Sequence, residues 1–146
     1  MAKIEILKAT REVDIPLEAI HVLLEQLSSS KVVFSKEDLW RLIGSDASAL
    51  YLVRVDDKWA GMLTLCSYLC PTGRKCWIED VVVDGQYRGM GLGRRLIEHA
   101  IEETKKMGNC TLMLTSRPSR VAANLLYKSA GFEQRETNVY RMKIKG

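Results

Sequence analysis

Apolar positions along the chain follow two spacings, and each spacing predicts a different kind of element. Spacings of three and four residues predict four helices, which are one opened by Asp14-Ile15-Pro16, one between Ser35 and Gly44, one from about Gly91 to Met107, and one between Ser119 and Gly131. Short alternating or continuous apolar runs predict the strands. The first is a short strand that begins at Ile4. The others are Ala49 to Val55, Lys58 to Cys70, Lys75 to Val83, Thr111 to Leu114, and a final hairpin of Phe132 to Arg135 with Val139 to Met142.

This order of elements predicts an α/β (α+β) fold with a mixed central sheet. Most neighbouring strands are joined by short turns, which favours antiparallel meanders, and one strand-helix-strand connection favours a parallel pair. We expect about six to seven strands flanked by about four helices. The length of 146 residues, with no linker and no internal repeat, predicts one domain over residues 1–146.

Local signals predict how several of these elements begin or bend. Asp14 is expected to cap the first helix, with Pro16 near its first turn. Ser35 and Asp38 have the spacing of a capping box, with Asp in place of the usual Glu. Gly61 interrupts a long apolar strand and therefore predicts a β-bulge.

The composition is ordinary for a soluble globular protein, with 47% hydrophobic and 27% charged residues. No apolar run reaches the roughly 18–20 residues that span a bilayer, and the stretch from Met1 to Leu7 lacks a signal-peptide core. We therefore expect a cytoplasmic protein without a membrane partner. The net charge of +4 is mild and spread along the chain, whereas nucleic-acid binders more often concentrate basic residues in a stripe, so nucleic acid is not an expected partner.

The cysteines and histidines predict no metal site. Four cysteines and two histidines occur, without a Cys-x-x-Cys pair. Cys70 and Cys76 flank the turn at Pro71-Thr72-Gly73, so a disulfide across a hairpin is one interpretation. The other interpretation, favoured in a reducing cytoplasm, is that both are small strand residues.

The candidate chemistry centres on residues 86–93, with the sequence Gln-Tyr-Arg-Gly-Met-Gly-Leu-Gly. This stretch follows the apolar strand that ends at Val83 and precedes the third helix. Gly89, Gly91 and Gly93 let the backbone turn tightly and approach a ligand without Cβ atoms in the way. The first N–H groups of the helix have no helical acceptor and point into the turn, so the stretch predicts a phosphate site.

The charged residues near this stretch also favour an anion-binding site. Arg94 and Arg95 lie in the first turn of the helix, and Arg88 lies just before it, although a helix dipole favours acids there. A glycine-rich turn with solvated arginines is the alternative. The dinucleotide fingerprint is excluded because Arg94 stands where its third Gly belongs, and the P-loop is excluded because no Gly-Lys-Ser/Thr follows.

Two motifs resemble the GNAT superfamily of N-acyltransferases. Residues 86–91 fit its Gln/Arg-x-x-Gly-x-Gly/Ala signature. Residues 122–132, Ala-Ala-Asn-Leu-Leu-Tyr-Lys-Ser-Ala-Gly-Phe, resemble its late helix, in which a Tyr is followed by Gly-Phe. The motifs occur in the expected order, and the resemblance covers about residues 50 to 143, so a single GNAT-type domain is expected.

The resemblance implies acetyl-CoA as cosubstrate, to which the cysteine and histidine pattern adds no metal. It implies that the loop binds the pyrophosphate, and that a backbone N–H around Val82, on a strand that splays from its neighbour, binds the thioester oxygen. The implied cofactor-binding residues are Val81, Val82, Val83, Gln86, Tyr87, Arg88, Gly89, Met90, Gly91, Leu92, Gly93, Arg94 and Asn124.

Three side chains are candidates for proton transfer. Glu79 and Asp80 interrupt an apolar strand and are expected to point to opposite faces. Either carboxylate could accept the proton of the attacking amine, with a pKa raised by burial, and a salt bridge to Arg94, Arg117 or another cation is the alternative. The resemblance implies Tyr127 as the acid that protonates the leaving thiolate, and a packed helix aromatic is the alternative.

The favoured function is an N-acetyltransferase that moves an acetyl group from acetyl-CoA to a primary amine by direct attack in a ternary complex. The alternative is a non-catalytic CoA-binding regulatory domain of the same fold. No motif specifies the acceptor, which is expected to be a small-molecule amine or a protein amine. Because the family often dimerises, a homodimer is also among the expected assemblies.

Overall fold

The apolar alternation of the chain produces one five-stranded sheet. In the computed structural model, which describes residues 1–146, the strands are β1 (Ile4–Lys8), β2 (Ser48–Val55), β3 (Lys58–Cys70), β4 (Gly73–Val83) and β5 (Cys110–Met113). They lie in the order β1-β2-β3-β4-β5. The first four pair antiparallel, and β5 pairs parallel to β4, so the predicted mixed sheet is confirmed.

The chain forms four α-helices, as predicted. They are α1 (Leu17–Leu27), α2 (Lys36–Ile43), α3 (Leu92–Lys105) and α4 (Val121–Ser129). The sheet and the first three helices belong to one unit, Met1–Thr115, and α4 belongs to a second unit, Ser116–Gly146. No helix is both long and apolar enough to cross a membrane.

The capping box at the start of α2 is confirmed. The Asp38 N–H donates to Ser35 Oγ at 3.1 Å, and the Ser35 N–H donates to Asp38 Oδ2 at 2.9 Å. The predicted cap of α1 is wrong, because the N-cap residue is Pro16 and no side chain accepts a hydrogen bond there. Asp14 lies two residues before Pro16, too early in the chain to be the residue that adjoins the helix.

Helices cover both faces of the sheet within residues 1–115. On one face, α1 and α2 contribute to a cluster with side chains of the strands, whose buried members include Ile20, Leu23, Leu39, Leu50, Leu52, Met62 and Val82. The other face packs against α3, where the Tyr51 ring contacts His99 edge-on at a centroid distance of 4.7 Å. Leu50 and Tyr51 point to opposite faces because successive strand residues alternate.

The predicted bulge at Gly61 is confirmed one residue earlier in β3. Val53 pairs with Gly61 and Arg54 pairs with Trp59, so Ala60 has no residue opposite it. The backbone of Gly61 also approaches β4 closely. A Cβ atom at Gly61 would lie 2.8 Å from the carbonyl oxygen of Val82 and 3.1 Å from Val53 Cγ1, so the glycine is required by space.

The expectation of six to seven strands is wrong, because the sheet has five. The predicted hairpin of Phe132 to Arg135 with Val139 to Met142 is absent, and residues 132–146 contain no helix or strand. An alternating sequence predicts only which faces a strand would have. A strand also needs a partner for its backbone groups, and no ladder forms here.

The four cysteines are free thiols. Cys70 pairs with Gly73 and Cys76 pairs with Ser67, so the two cysteines lie three rungs apart along the hairpin. That separation is roughly 10 Å at the rise of a strand, whereas a disulfide needs Cα atoms about 4.4–6.8 Å apart. The disulfide across this hairpin is therefore excluded by the register.

Replacing Gly61 with Ala is expected to destabilise the protein by about 1–3 kcal/mol, because the new methyl group meets a β4 carbonyl oxygen that cannot move without disturbing the ladder. Urea unfolding of both proteins measures the difference. Gly44→Ala is the control, since its Cβ would lie 3.3 Å from the Trp40 carbonyl oxygen and the φ of −79° suits alanine. Equal stability of Gly61→Ala and the unchanged protein would contradict this account.

Candidate active site

A second bulge lies in β4 at the predicted carboxylate pair. Met62 pairs with Val82 and Thr64 pairs with Glu79, so Asp80 and Val81 together stand opposite the single residue Leu63. Asp80 has a φ of 53°, in the left-handed region that few residues other than Gly, Asn and Asp adopt. The bulge interrupts the alternation from which opposite faces were expected, and both carboxylate residues are exposed.

The surroundings of Glu79 favour the protonated form of its carboxyl group. Desolvation raises the pKa of its carboxyl group above the ordinary value, and the neighbouring charge of Asp80 raises it further. Arg94, one partner of the alternative ion pair with these carboxylates, contacts Glu98 at 3.8 Å, and the ion pair itself stays a prediction. Arg117 belongs to the other unit.

The end of β4 has an open edge toward β5. The two strands pair from Arg74 with Cys110 to Trp77 with Met113, and β4 continues to Val83. Residues 78–83 therefore have no strand partner on that side. An unpaired edge of this kind can bind an extended ligand through backbone hydrogen bonds.

The direction of the amides along this edge follows from one hydrogen bond. The Asp84 N–H donates to the Ala60 carbonyl at 2.8 Å, toward β3. Because successive residues of a regular strand direct their N–H groups to opposite edges, the Val83 N–H faces the open edge and the Val82 N–H faces β3, whereas Val81 belongs to the bulge, where this alternation does not apply. The hydrogen-bond pattern therefore favours Val83 over Val82 as a donor to a ligand, while the Val82 side chain packs in the core.

The loop after β4 forms a tight, internally bonded turn. Residues Gly85–Tyr87 form a single turn of 3₁₀ helix, in which the Gln86 N–H donates to Asp84 Oδ1 at 2.9 Å and the Tyr87 N–H donates to the Asp84 carbonyl at 2.9 Å. Gly89 and Gly91 follow with φ values of 85° and 73°. A Cβ atom at either glycine would meet no atom within 4 Å, so the backbone there faces open space.

The start of α3 offers donors and positive charge to that space. The Arg95 N–H donates to the Gly91 carbonyl at 3.1 Å, whereas the amides of Leu92 and Gly93 have no acceptor within the helix. No side chain caps this end and no acid lies in the first turn. The exposed Arg88 and Arg95 add positive charge, so the site suits a phosphate group.

One residue of this site was missed by sequence reasoning. Gln26, near the end of α1, accepts a hydrogen bond from the Gly85 N–H through its Oε1 at 2.8 Å. The two residues are 59 positions apart in the chain, and no spacing or motif connects them. Only the packing of α1 beside the end of β4 brings them together.

The second unit contains the two remaining candidates. The Asn124 side-chain amide donates to the Arg117 carbonyl at 2.9 Å and to the Arg120 carbonyl at 2.8 Å, so it fastens the turn that precedes α4. Tyr127 is 7% exposed, and its ring meets Phe132 edge-on at 6.2 Å. The contact joins the Tyr and the Phe of the predicted motif, and the cofactor and acid roles of Asn124 and Tyr127 stay predictions.

No group of three or more His, Cys, Asp or Glu side chains is arranged to bind a metal ion. Among the carboxylates of the site, Glu79 and Asp80 are adjacent on β4, and Asp84 uses its side chain in the turn. The chemical groups assembled here are therefore carboxylates, backbone amides and guanidinium groups.

The family model described as the Acetyltransferase (GNAT) family matches residues 18–132. A ribosomal protein bS18-alanine N-acetyltransferase of Escherichia coli (strain K12) is 47% identical over 55 residues, which are 38% of this chain and 37% of that protein. An uncharacterized N-acetyltransferase of Methanocaldococcus jannaschii is 30% identical over 98 residues, 65% of this chain and 43% of that protein. The matches thus span less than half the length of these relatives.

Among solved structures, an aminoglycoside N-acetyltransferase in complex with CoA aligns with a TM-score of 0.78. The alignment covers 98% of this chain and 96% of that chain, with 16% sequence identity. At that identity the similarity shows the fold alone.

Replacing Asp80 with Asn is expected to lower the pKa of Glu79 toward its ordinary value, because a negative charge that opposes ionisation is removed. The pKa should stay above that value, since desolvation is the larger cause. Asn also tolerates the left-handed backbone, so the bulge should persist. NMR titration of the Glu79 side-chain carboxyl carbon measures the change, with Asp57→Asn in the β2–β3 turn as the control. A Glu79 pKa that is the same with and without Asp80 would refute the coupling.

Proposed function

Because the chain belongs to the GNAT family of acetyltransferases, we propose that it moves an acetyl group from acetyl-CoA to a primary amine by direct attack in a ternary complex. The observation that carries the proposal is the unpaired edge of residues 78–83, which leads directly into a loop and a helix start with unpaired amides. An extended arm that ends in a diphosphate fits this sequence of donors. The Glu79 carboxylate lies on the same strand.

The cofactor would be held by two kinds of backbone group. The amides of Leu92 and Gly93 and the open turn at Gly89 and Gly91 suit the pyrophosphate, with Arg88 adding charge. The outward N–H and C=O groups of the β4 edge suit the amides of the pantetheine arm, as in an added strand. When bound, acetyl-CoA supplies an acetyl group activated as a thioester.

Val83 directs its N–H group to the edge where the thioester would lie, and Val81 lies in the bulge two residues before it. A donor fixed in a sheet needs no reorientation as negative charge develops on the carbonyl oxygen, and it therefore lowers the barrier to attack. We therefore assign the oxygen to the Val83 N–H. The side chain of Val82 anchors the strand from behind, in the core.

Glu79 is proposed as the base. The amine nitrogen attacks the thioester carbon, the carbon–sulfur bond breaks, and the proton lost by nitrogen passes to the Glu79 carboxylate, directly or through water. A raised pKa makes the carboxylate a stronger acceptor than an ordinary glutamate. Asp80 contributes negative charge that attracts a cationic amine, and Tyr127 stays our candidate for the donor that protonates the thiolate.

The acceptor class is a primary amine, either of a small molecule or of a protein. The Escherichia coli relative is named for an alanine of a ribosomal protein, and the solved neighbour is named for aminoglycosides. Both classes therefore belong in an acceptor screen. The exposed carboxylates of Glu79 and Asp80 favour acceptors that approach with a positive charge.

CoA is expected to bind the protein and to raise its melting temperature, because a ligand that binds only the folded state stabilises it. Arg88→Ala should weaken binding roughly tenfold, the effect of one charged contact to phosphate. Lys105→Ala, at the opposite end of α3 about 20 Å away, is the matched control and should bind normally. Calorimetry gives the dissociation constants. If millimolar CoA leaves the melting temperature unchanged, the protein lacks the proposed function.

Glu79→Gln is expected to lower kcat on an accepted amine by about a hundredfold or more, because the neutral amide cannot take up the proton. CoA affinity should change little, since the phosphate loop is untouched. Thiol release from acetyl-CoA across an amine panel measures turnover, with Glu102→Gln on α3 as the control. CoA binding without turnover on any amine would favour the non-catalytic CoA-binding domain instead.

A further inference from the structure

A hydrogen bond ties the phosphate loop to α1. Gly85 is the first residue of the 3₁₀ turn, and its N–H donates to Gln26 Oε1 at 2.8 Å. The next two amides of the turn, those of Gln86 and Tyr87, are bonded locally to Asp84. Gln26 therefore supplies the turn with a contact from a distant element.

Two successive amides are anchored to different elements where the chain leaves β4. The Asp84 N–H is bonded to the Ala60 carbonyl of β3, and the Gly85 N–H is bonded to Gln26 of α1. The two bonds together fix the direction in which the chain enters the loop. If the chain entered the loop in a different direction, every backbone N–H donor that follows would be displaced, because the turn is short and internally bonded.

Helix α1, which carries Gln26, is anchored in the core by apolar side chains. Ile20 and Leu23 on α1 are 2% and 1% exposed, and Leu27 packs against the same cluster. Gln26 itself is exposed, so burial of its side chain does not explain its position. A rigid helix that presents one polar group to a loop suits a positioning role.

The neighbourhood of Gly85 also favours Gln over Glu. A Cβ atom on Gly85 would lie 3.7 Å from Gln26 Oε1 and 4.0 Å from Arg88 Nε, so both side chains lie close to the same residue. A glutamate at position 26 could accept the same hydrogen bond. Its charge, however, would compete for Arg88 and repel a bound diphosphate.

We propose that Gln26 is a positioning residue that holds the start of the phosphate loop and thereby sets the affinity for CoA. The inference rests on the proposed function. Gln26 acts through Gly85 and touches none of the reacting atoms. It should therefore affect the binding of the cofactor and leave the chemical step unchanged.

Gln26→Leu removes the acceptor at an exposed position and should keep the fold. We expect faster hydrogen exchange of the Gly85 amide, a CoA dissociation constant raised about fivefold, and an unchanged kcat at saturating acetyl-CoA. Gln26→Asn, whose side chain is one methylene too short to reach Gly85, should have the same three effects without adding apolar surface. Glu25→Leu makes a similar change at the neighbouring exposed position and should alter none of these quantities.

Gln26→Glu separates the hydrogen bond from the charge. It should preserve slow exchange at Gly85 and still weaken CoA binding, with the loss growing as salt is lowered. If the unchanged protein binds CoA and Gln26→Leu binds it equally well, the inference is overturned while the proposed function stands. If the unchanged protein does not bind CoA, the proposed function fails and the affinity role falls with it, whereas Gly85 exchange separately reports whether the hydrogen bond exists.

Discussion

The site depends on a mismatch in strand length at the middle of the sheet. β5 pairs with β4 only as far as Trp77, and β4 runs on to Val83. Backbone N–H and C=O groups need partners, so residues 78–83 present a row of donors and acceptors that a ligand can use. The helix α3 begins nine residues after Val83 with more unpaired amides, and the proposed cofactor site extends from the β4 edge to this helix start.

Two bulges, one in β3 and one in β4, shape the backbone beside this edge. In β3 the extra residue is Ala60, and in β4 the extra residue lies at Asp80 and Val81. Between the bulges the backbones of β3 and β4 approach so closely at Gly61 that no side chain fits. Glu79 adjoins the β4 bulge, and Glu79 and Asp80 are both exposed beside the open edge.

Much of the fold followed from local signals. β3 was predicted with its observed bounds, α2 has its capping box, and Gly61 marks a bulge as expected. The mixed sheet and four helices followed from the order of elements, and Gly89 and Gly91 have the positive φ values that a tight glycine turn requires. Each of these features is specified within a few residues of sequence, which is why a sequence pattern can report it.

The sequence by itself determined the elements, their order, and the glycines and charges of the loop. Tertiary structure alone decided that Asp80 begins a bulge, that the Val83 N–H faces the open edge, and that Gln26 contacts Gly85. It also decided that the sheet stops at five strands. These features depend on which backbone lies beside which, and pairing partners far apart in the chain leave no periodic trace in either segment.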